Sequence, residues 1–247
     1  TVLYTINAGT GSYIDSYTIT NDMGTNFVDM SGFHAASFSF NIDNITSHTT
    51  VKVVFNRFQK NVTVVNAGGN GTICCDTTVL YGDSCIVRVD ADAAAGYHID
   101  YITDGTDTTY YTTGDVTAEY RVYDIINDVT ITAAFAINEY RIVTLFTPEG
   151  YATAVPADTL VKHGDPCTIN IAADACHYLT TVADSGVAGP IWFGYSVPDH
   201  ATAYTVNYDS VICDHTIAVN MEAYQNTITG VAMTTNGTVP TVDVDCG

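Results

Sequence analysis

The sequence predicts an all-β fold of small antiparallel modules in tandem, β-sandwich or β-grasp-like, with little helix. Three observations carry that expectation. Thr, Val, Ile and Tyr recur in short runs while long runs of helix formers are missing, a bias towards strands. Several runs alternate apolar and polar residues with period two, as half-buried strands do. One β-rich unit also recurs in three diverged copies, with a fourth begun near the C-terminal end, and such periodicity marks a repeat architecture.

Each copy is expected to open with a strand, a Gly-containing turn and a second strand. These are Tyr4 to Tyr13, Val62 to Ile73 and Tyr140 to Tyr151, with Thr227 to Val239 in the tail. Turns such as Asn70-Gly71 and Asn236-Gly237 supply the positive φ angles of tight hairpins. A second turn follows at Gly24-Thr25, Gly82-Asp83 and Gly164-Asp165. The next strand should bury Cys85, Val87 and Val89, and in the third copy Cys167, Ile169 and Ile171.

An aromatic corner comes next, at Gly32-Phe33-His34, Gly96-Tyr97-His98 and Cys176-His177-Tyr178. The second copy then carries a hairpin at Asp104-Gly105, a strong turn dipeptide, which the shorter first copy is expected to lack. The closing strands alternate again, with Val51, Val53 and Phe55, then Ile131, Ala133 and Phe135, then Ile217, Val219 and Met221 facing inward. The expected division is a shortened repeat over 1–58, repeats over 59–137 and 138–224, and a partial repeat or donated strand over 225–247.

Charge narrows the partners. Seven Lys and Arg stand against 27 Asp and Glu, a formal charge of −20. Phosphate binding needs clustered cations, so nucleic acid is not an expected partner. Carboxylates suit hard cations, which makes Asp90, Asp92, Asp104 and Asp107 calcium candidates, although no EF-hand loop surrounds them.

The seven cysteines are Cys74, Cys75, Cys85, Cys167, Cys176, Cys213 and Cys246. No C-x-x-C pair or zinc-ribbon spacing occurs among them, so disulfides in an oxidising, extracellular setting are the default expectation. An odd count leaves at least one sulfur for another role, such as a bond to a second chain. The densest group, Cys167, Cys176, His177, Cys213 and His215, fits no ligand spacing, and disulfides with a packed histidine are the expected reading. Sequons at Asn44, Asn61, Asn70 and Asn236 are glycosylation candidates.

No apolar stretch approaches the roughly 20 residues that span a bilayer. The start at Thr1 without a leader reads as a processed, secreted chain. Serine-hydrolase, zinc-protease and P-loop signatures are missing, and no enzyme activity is expected. Trp192 and the tyrosines read as strand and core aromatics rather than a sugar platform.

The run "Gly-Tyr-His-Ile" at Gly96, the turn at Asp104-Gly105 and the stretch Asp124 to Phe135 together resemble an extracellular β-repeat family of bacteria and archaea, related to the internalin B-repeat. The likeness extends over most of residues 1–224 and is best in the second copy. It implies a mostly β extracellular module and carries no catalytic residues. Acidic, cysteine-bearing repeat chains of this sort also look like archaeal sheath, S-layer or filament subunits. The expected function is therefore a secreted structural subunit that polymerises with copies of itself, by strand augmentation and disulfides. The alternative is an adhesion module of a larger surface protein that binds glycan or protein.

Overall fold

The computed structural model describes residues 1–74, 76–186, 193–231 and 237–245. The first module comprises β1 (Val2–Asn7), β2 (Ser12–Asn21), β3 (Gly24–Asp29), β4 (Ser37–Ile42) and β5 (Thr50–Arg57). The second comprises β6 (Gln59–Gly68), β7 (Gly71–Ile73), β8 (Thr77–Leu80), β9 (Cys85–Ala91), β10 (Tyr97–Thr103), β11 (Thr108–Tyr110), β12 (Thr117–Val122) and β13 (Val129–Ile137). The third comprises β14 (Glu139–Thr147), β15 (Ala152–Val155), β16 (Asp158–Lys162), β17 (Cys167–Ala173), β18 (His177–Asp184), β19 (Phe193–Tyr195), β20 (Ala203–Tyr208) and β21 (His215–Ala223). The tail forms one hairpin, β22 (Gln225–Thr229) with β23 (Thr241–Asp245).

No α-helix occurs among the described residues, and the fold is all-β, as the sequence predicts. By compactness the chain divides into two units, residues 1–93 with 97–136, and residues 94–96 with 137–247.

The two larger modules share one plan. In the second, a five-stranded sheet ordered β11-β10-β13-β6-β8 accompanies a three-stranded sheet ordered β12-β9-β7. The third repeats it with β19-β18-β21-β14-β16 and β20-β17-β15. Each of these modules contains a parallel pair, β13 with β6 and β21 with β14, beside antiparallel pairs such as β6 with β8 and β14 with β16. A parallel pair needs a long crossover, and here the rest of the module, from β7 to β12 or from β15 to β20, supplies it.

The expected alternation sets the cores. Val87, Val89, Ile131, Ala133 and Phe135 are buried with Val62, Ile99 and Ile102. Ile169, Ile171, Ile217, Val219 and Met221 are buried with Ile142, Leu179 and Val182. Asp104 closes its hairpin as expected, its Oδ1 accepting the amides of Thr106 and Asp107.

The first module corrects one expectation. Three backbone bonds recur and align it with the others. The amides of Phe58, Asn138 and Tyr224 donate to the carbonyls of Gly11, Gly96 and Cys176. Those of Ile14, Ile99 and Leu179 donate to Ala35, Asp115 and Ala201, and those of Ala8, Ala91 and Ala173 to Ala36, Val116 and Thr202. Strands β1 to β5 therefore correspond to β9 to β13 and to β17 to β21.

The turn before Gly24 is the central hairpin, joining β2 and β3, rather than a counterpart of Gly82-Asp83. The corner is Gly11-Ser12-Tyr13, not Gly32-Phe33-His34. What the first module lacks among the described residues is the opening set β6-β7-β8, not the central hairpin. The misreading has a physical cause, since a glycine turn between two short strands has the same composition wherever it falls in a module.

Candidate functional site

Among the described residues the first module has open sheet edges. Its sheets are β3-β2-β5 and β1-β4, so β5 and β1 are edge strands. Their counterparts are enclosed, β13 between β10 and β6, and β9 between β12 and β7. Exposure follows. Phe55 is 45% exposed, whereas Phe135 and Met221 at the same position are 6% and 5% exposed. Tyr4 is exposed where Val87 and Ile169 are fully buried. Edges of this kind are templates for pairing with another chain.

The tail hairpin is the converse. Strand β22 follows β21 across one residue, Tyr224, just as β6 follows β5 across Phe58 and β14 follows β13 across Asn138. The pair Gln225–Asp245 matches Gln59–Leu80 and Glu139–Lys162, so β22 and β23 correspond to β6 and β8. Their apolar residues Ile228, Val242 and Val244 are exposed, as is Val239 just before β23. The hairpin thus repeats the strand pair found at the start of each larger module.

A pair of aromatic latches binds module ends. Tyr13, His34 and Phe58 lie with ring centroids 4.6 to 5.9 Å apart. Tyr178, His200 and Tyr224 repeat the arrangement at 4.5 to 6.0 Å. His34 and His200 both adopt the left-handed conformation, with φ of 49° and 52°. Beside the first latch, Arg57 makes two contacts with the Asp83 carboxylate, at 2.6 and 3.2 Å, and donates to the Tyr81 carbonyl. The sequence signalled the aromatics but not their repetition, because His34 and His200 stand in loops of different length.

The third module holds the densest polar cluster. His215 Nδ1 lies 2.8 Å from Asp184 Oδ2, and its Nε2 lies 3.6 Å from Cys213 Sγ. The Tyr208 hydroxyl and the Gly186 amide donate to the same carboxylate, each at 3.0 Å. Asp184 and His215 are both buried. Burial first, and the Asp184 carboxylate second, push the Tyr208 hydroxyl far above its usual range. A carboxylate, an imidazole and a thiol in line can pass a proton from sulfur to the ring. Here the carboxylate also ties the ends of β18 and β20 to the start of β21.

Sequence reading placed Cys213 and His215 together but missed Asp184, which is 31 residues from His215. His177 belongs elsewhere, 2.7 Å from Asp174, and that hydrogen bond holds the Asp174 carboxyl below its usual range.

The disulfide expectation is corrected in part. Cys74, Cys85 and Cys167 are free thiols, while Cys176 is disulfide-bonded. Cys85 pairs across its sheet with Val122 and Cys167 with Tyr208, so the residue opposite each is not a cysteine. Burial raises both thiols above their usual range, with a smaller contribution at Cys85 from Cys74. Cys75, Cys246, Asn236 and Trp192 lie outside the described residues.

The calcium candidates do not converge. Asp104 and Asp107 belong to the central hairpin turn, and Asp90 sits on β9 opposite Thr72 and Thr117. The Asp92 amide donates to the Asn70 carbonyl. Among the described residues no group of three or more His, Cys, Asp or Glu is arranged to hold a metal ion. Asn44, Asn61 and Asn70 are exposed. No described helix is long and apolar enough to cross a membrane. No family model, curated protein or solved structure matches the chain.

Proposed function

We propose that the chain is a secreted structural subunit that self-assembles into an extracellular filament, sheath or surface layer. The observation that carries the reading is a tandem of β modules built on one plan, with strand edges left exposed at β1 and β5 among the described residues. A contact between unlike surfaces on two copies does not close unless its rotation happens to, so it generates open polymers. The acidic surface, with only seven Lys and Arg, suits a coat exposed to proteases that cut at basic residues. The disulfide at Cys176 is in keeping with an oxidising compartment.

Negative-stain microscopy and light scattering of the full chain across concentrations test this. Fibres, tubes or lattices of regular repeat support it. A chain that stays monomeric at all concentrations overturns it, and glycan or protein capture by that monomer favours an adhesion module instead.

A further inference from the structure

We propose that Cys213 is a thiol activated for exchange with disulfides, with His215 taking its proton and Asp184 positioning the imidazole. This chemistry is independent of assembly, and a chain that never polymerises would leave it standing.

The loop from β20 to β21 holds the thiol in place. Val211 is fully buried. Its amide donates to the Asp165 carbonyl at 3.0 Å, and its carbonyl accepts the Gly164 amide at 2.8 Å. Asp214 Oδ1 accepts the Arg141 amide at 2.7 Å. Cys213 therefore sits between two anchored residues. It stays partly exposed, next to exposed Ile212, so a reagent has access to it.

The imidazole is set to take the thiol proton. Asp184 Oδ2 accepts the proton of His215 Nδ1 at 2.8 Å, which leaves the Nε2 lone pair towards Cys213 Sγ at 3.6 Å. The ring has little room to turn. Its centroid lies 4.3 Å from that of Tyr208, and a Cβ on Gly186 would come within 2.2 Å of Nδ1. The Tyr208 hydroxyl and the Gly186 amide hold the Asp184 carboxylate in turn. Proton transfer gives a thiolate beside an imidazolium, and the buried carboxylate stabilises that cation. Tyr195 and Tyr208 are the other titratable groups beside the carboxylate. Burial first, and Asp184 second, raise both hydroxyls above their usual range, so both stay neutral where a thiol titrates.

The scaffold does not need these groups. In the second module Ile125 is anchored to Gly82 and Asp83 as Val211 is to Gly164 and Asp165. Asp128 accepts an amide there as Asp214 does. Asn127 then stands in the place of Cys213, and Val129 in the place of His215. The same turn closes without thiol or imidazole at those positions. A buried polar set that the fold can replace with an apolar residue adds little stability, and such departures mark functional sites.

The thiolate attacks one sulfur of a disulfide, forming a bond from Cys213 to that sulfur and breaking the original S–S bond. The departing sulfur keeps the electron pair of the broken bond and takes up the proton held by His215. Cys213 is oxidised and the departing half is reduced, so no further oxidant is needed. The partner class is a disulfide, either of low molecular weight or carried by another polypeptide.

The test incubates the full chain with glutathione disulfide, and separately with a disulfide-linked peptide, and maps mixed disulfides by mass spectrometry across pH. At about pH 6, where an ordinary thiol is almost wholly protonated, Cys213 should react about tenfold faster than exposed Cys74. Its rate should change little with pH, so Cys74 overtakes it by about pH 8. His215→Val installs the residue of the second module. It should slow Cys213 about tenfold at the lower pH and give it the steep pH dependence of an ordinary thiol, with Cys74 unchanged. Asp184→Asn should steepen the pH profile in the same way, because the ring loses its fixed tautomer. Exchange with either disulfide supports the proposal and identifies the partner's size; exchange with neither overturns it. Cys213 reacting more slowly than Cys74 at the lower pH in the unsubstituted chain also overturns it, as does a rate that His215→Val leaves unchanged.

Discussion

Ile142 and Ile228 hold the same place in the strand that opens a module, yet Ile142 is sealed in a core and Ile228 faces solvent. The difference lies in what stands beside them. Ile142 has β21 as its parallel neighbour, whereas among the described residues β22 pairs with β23 alone. An isoleucine fully buried rather than exposed contributes roughly 2 to 3 kcal/mol.

Salt should accelerate assembly. Copies carrying a charge of −20 repel one another, and the Debye length shortens to about 8 Å at 0.15 M salt. Light scattering at low salt and at about 0.3 M NaCl should show faster growth at the higher ionic strength. Slower growth would mean that attractive charge pairs dominate the interface.

Asp184→Ala should destabilise the second compact unit by about 3 kcal/mol, because it leaves buried His215 and Tyr208 without their shared acceptor. Urea denaturation followed by tyrosine fluorescence would report the change. A shift below about 0.5 kcal/mol would show that the network contributes little to stability.

The thiols should react in a fixed order. Cys74 is exposed, whereas burial raises the pKa of Cys85 and Cys167 and shrinks their thiolate fraction at a given pH. Alkylation at pH 8 should label Cys74 first, and the lag of Cys85 and Cys167 should narrow as pH rises. Equal rates for all three would exclude the proposed protection.

Much of the fold is legible in the chain because period two is a local property. Val87 and Val89, or Ile169 and Ile171, lie on one face of their strands whatever those strands pair with. The hairpin at Asp104-Gly105 is legible for the same reason, since its carboxylate closes the turn within three residues. The Asp184–His215 contact was hidden because no spacing rule links residues brought together by two adjacent strands.

By itself the sequence determined the all-β class, the threefold repetition, the inward residues of the complete modules and the acidic surface, all set by residue type and short-range alternation. Tertiary structure alone decided which strands of the first module correspond to which strands of the other two. That decision rests on amide-to-carbonyl bonds between distant residues, such as Phe58 to Gly11 and Tyr224 to Cys176. A glycine turn reads the same in any position along a module, and only the pairing partner of each strand tells an opening hairpin from a central one.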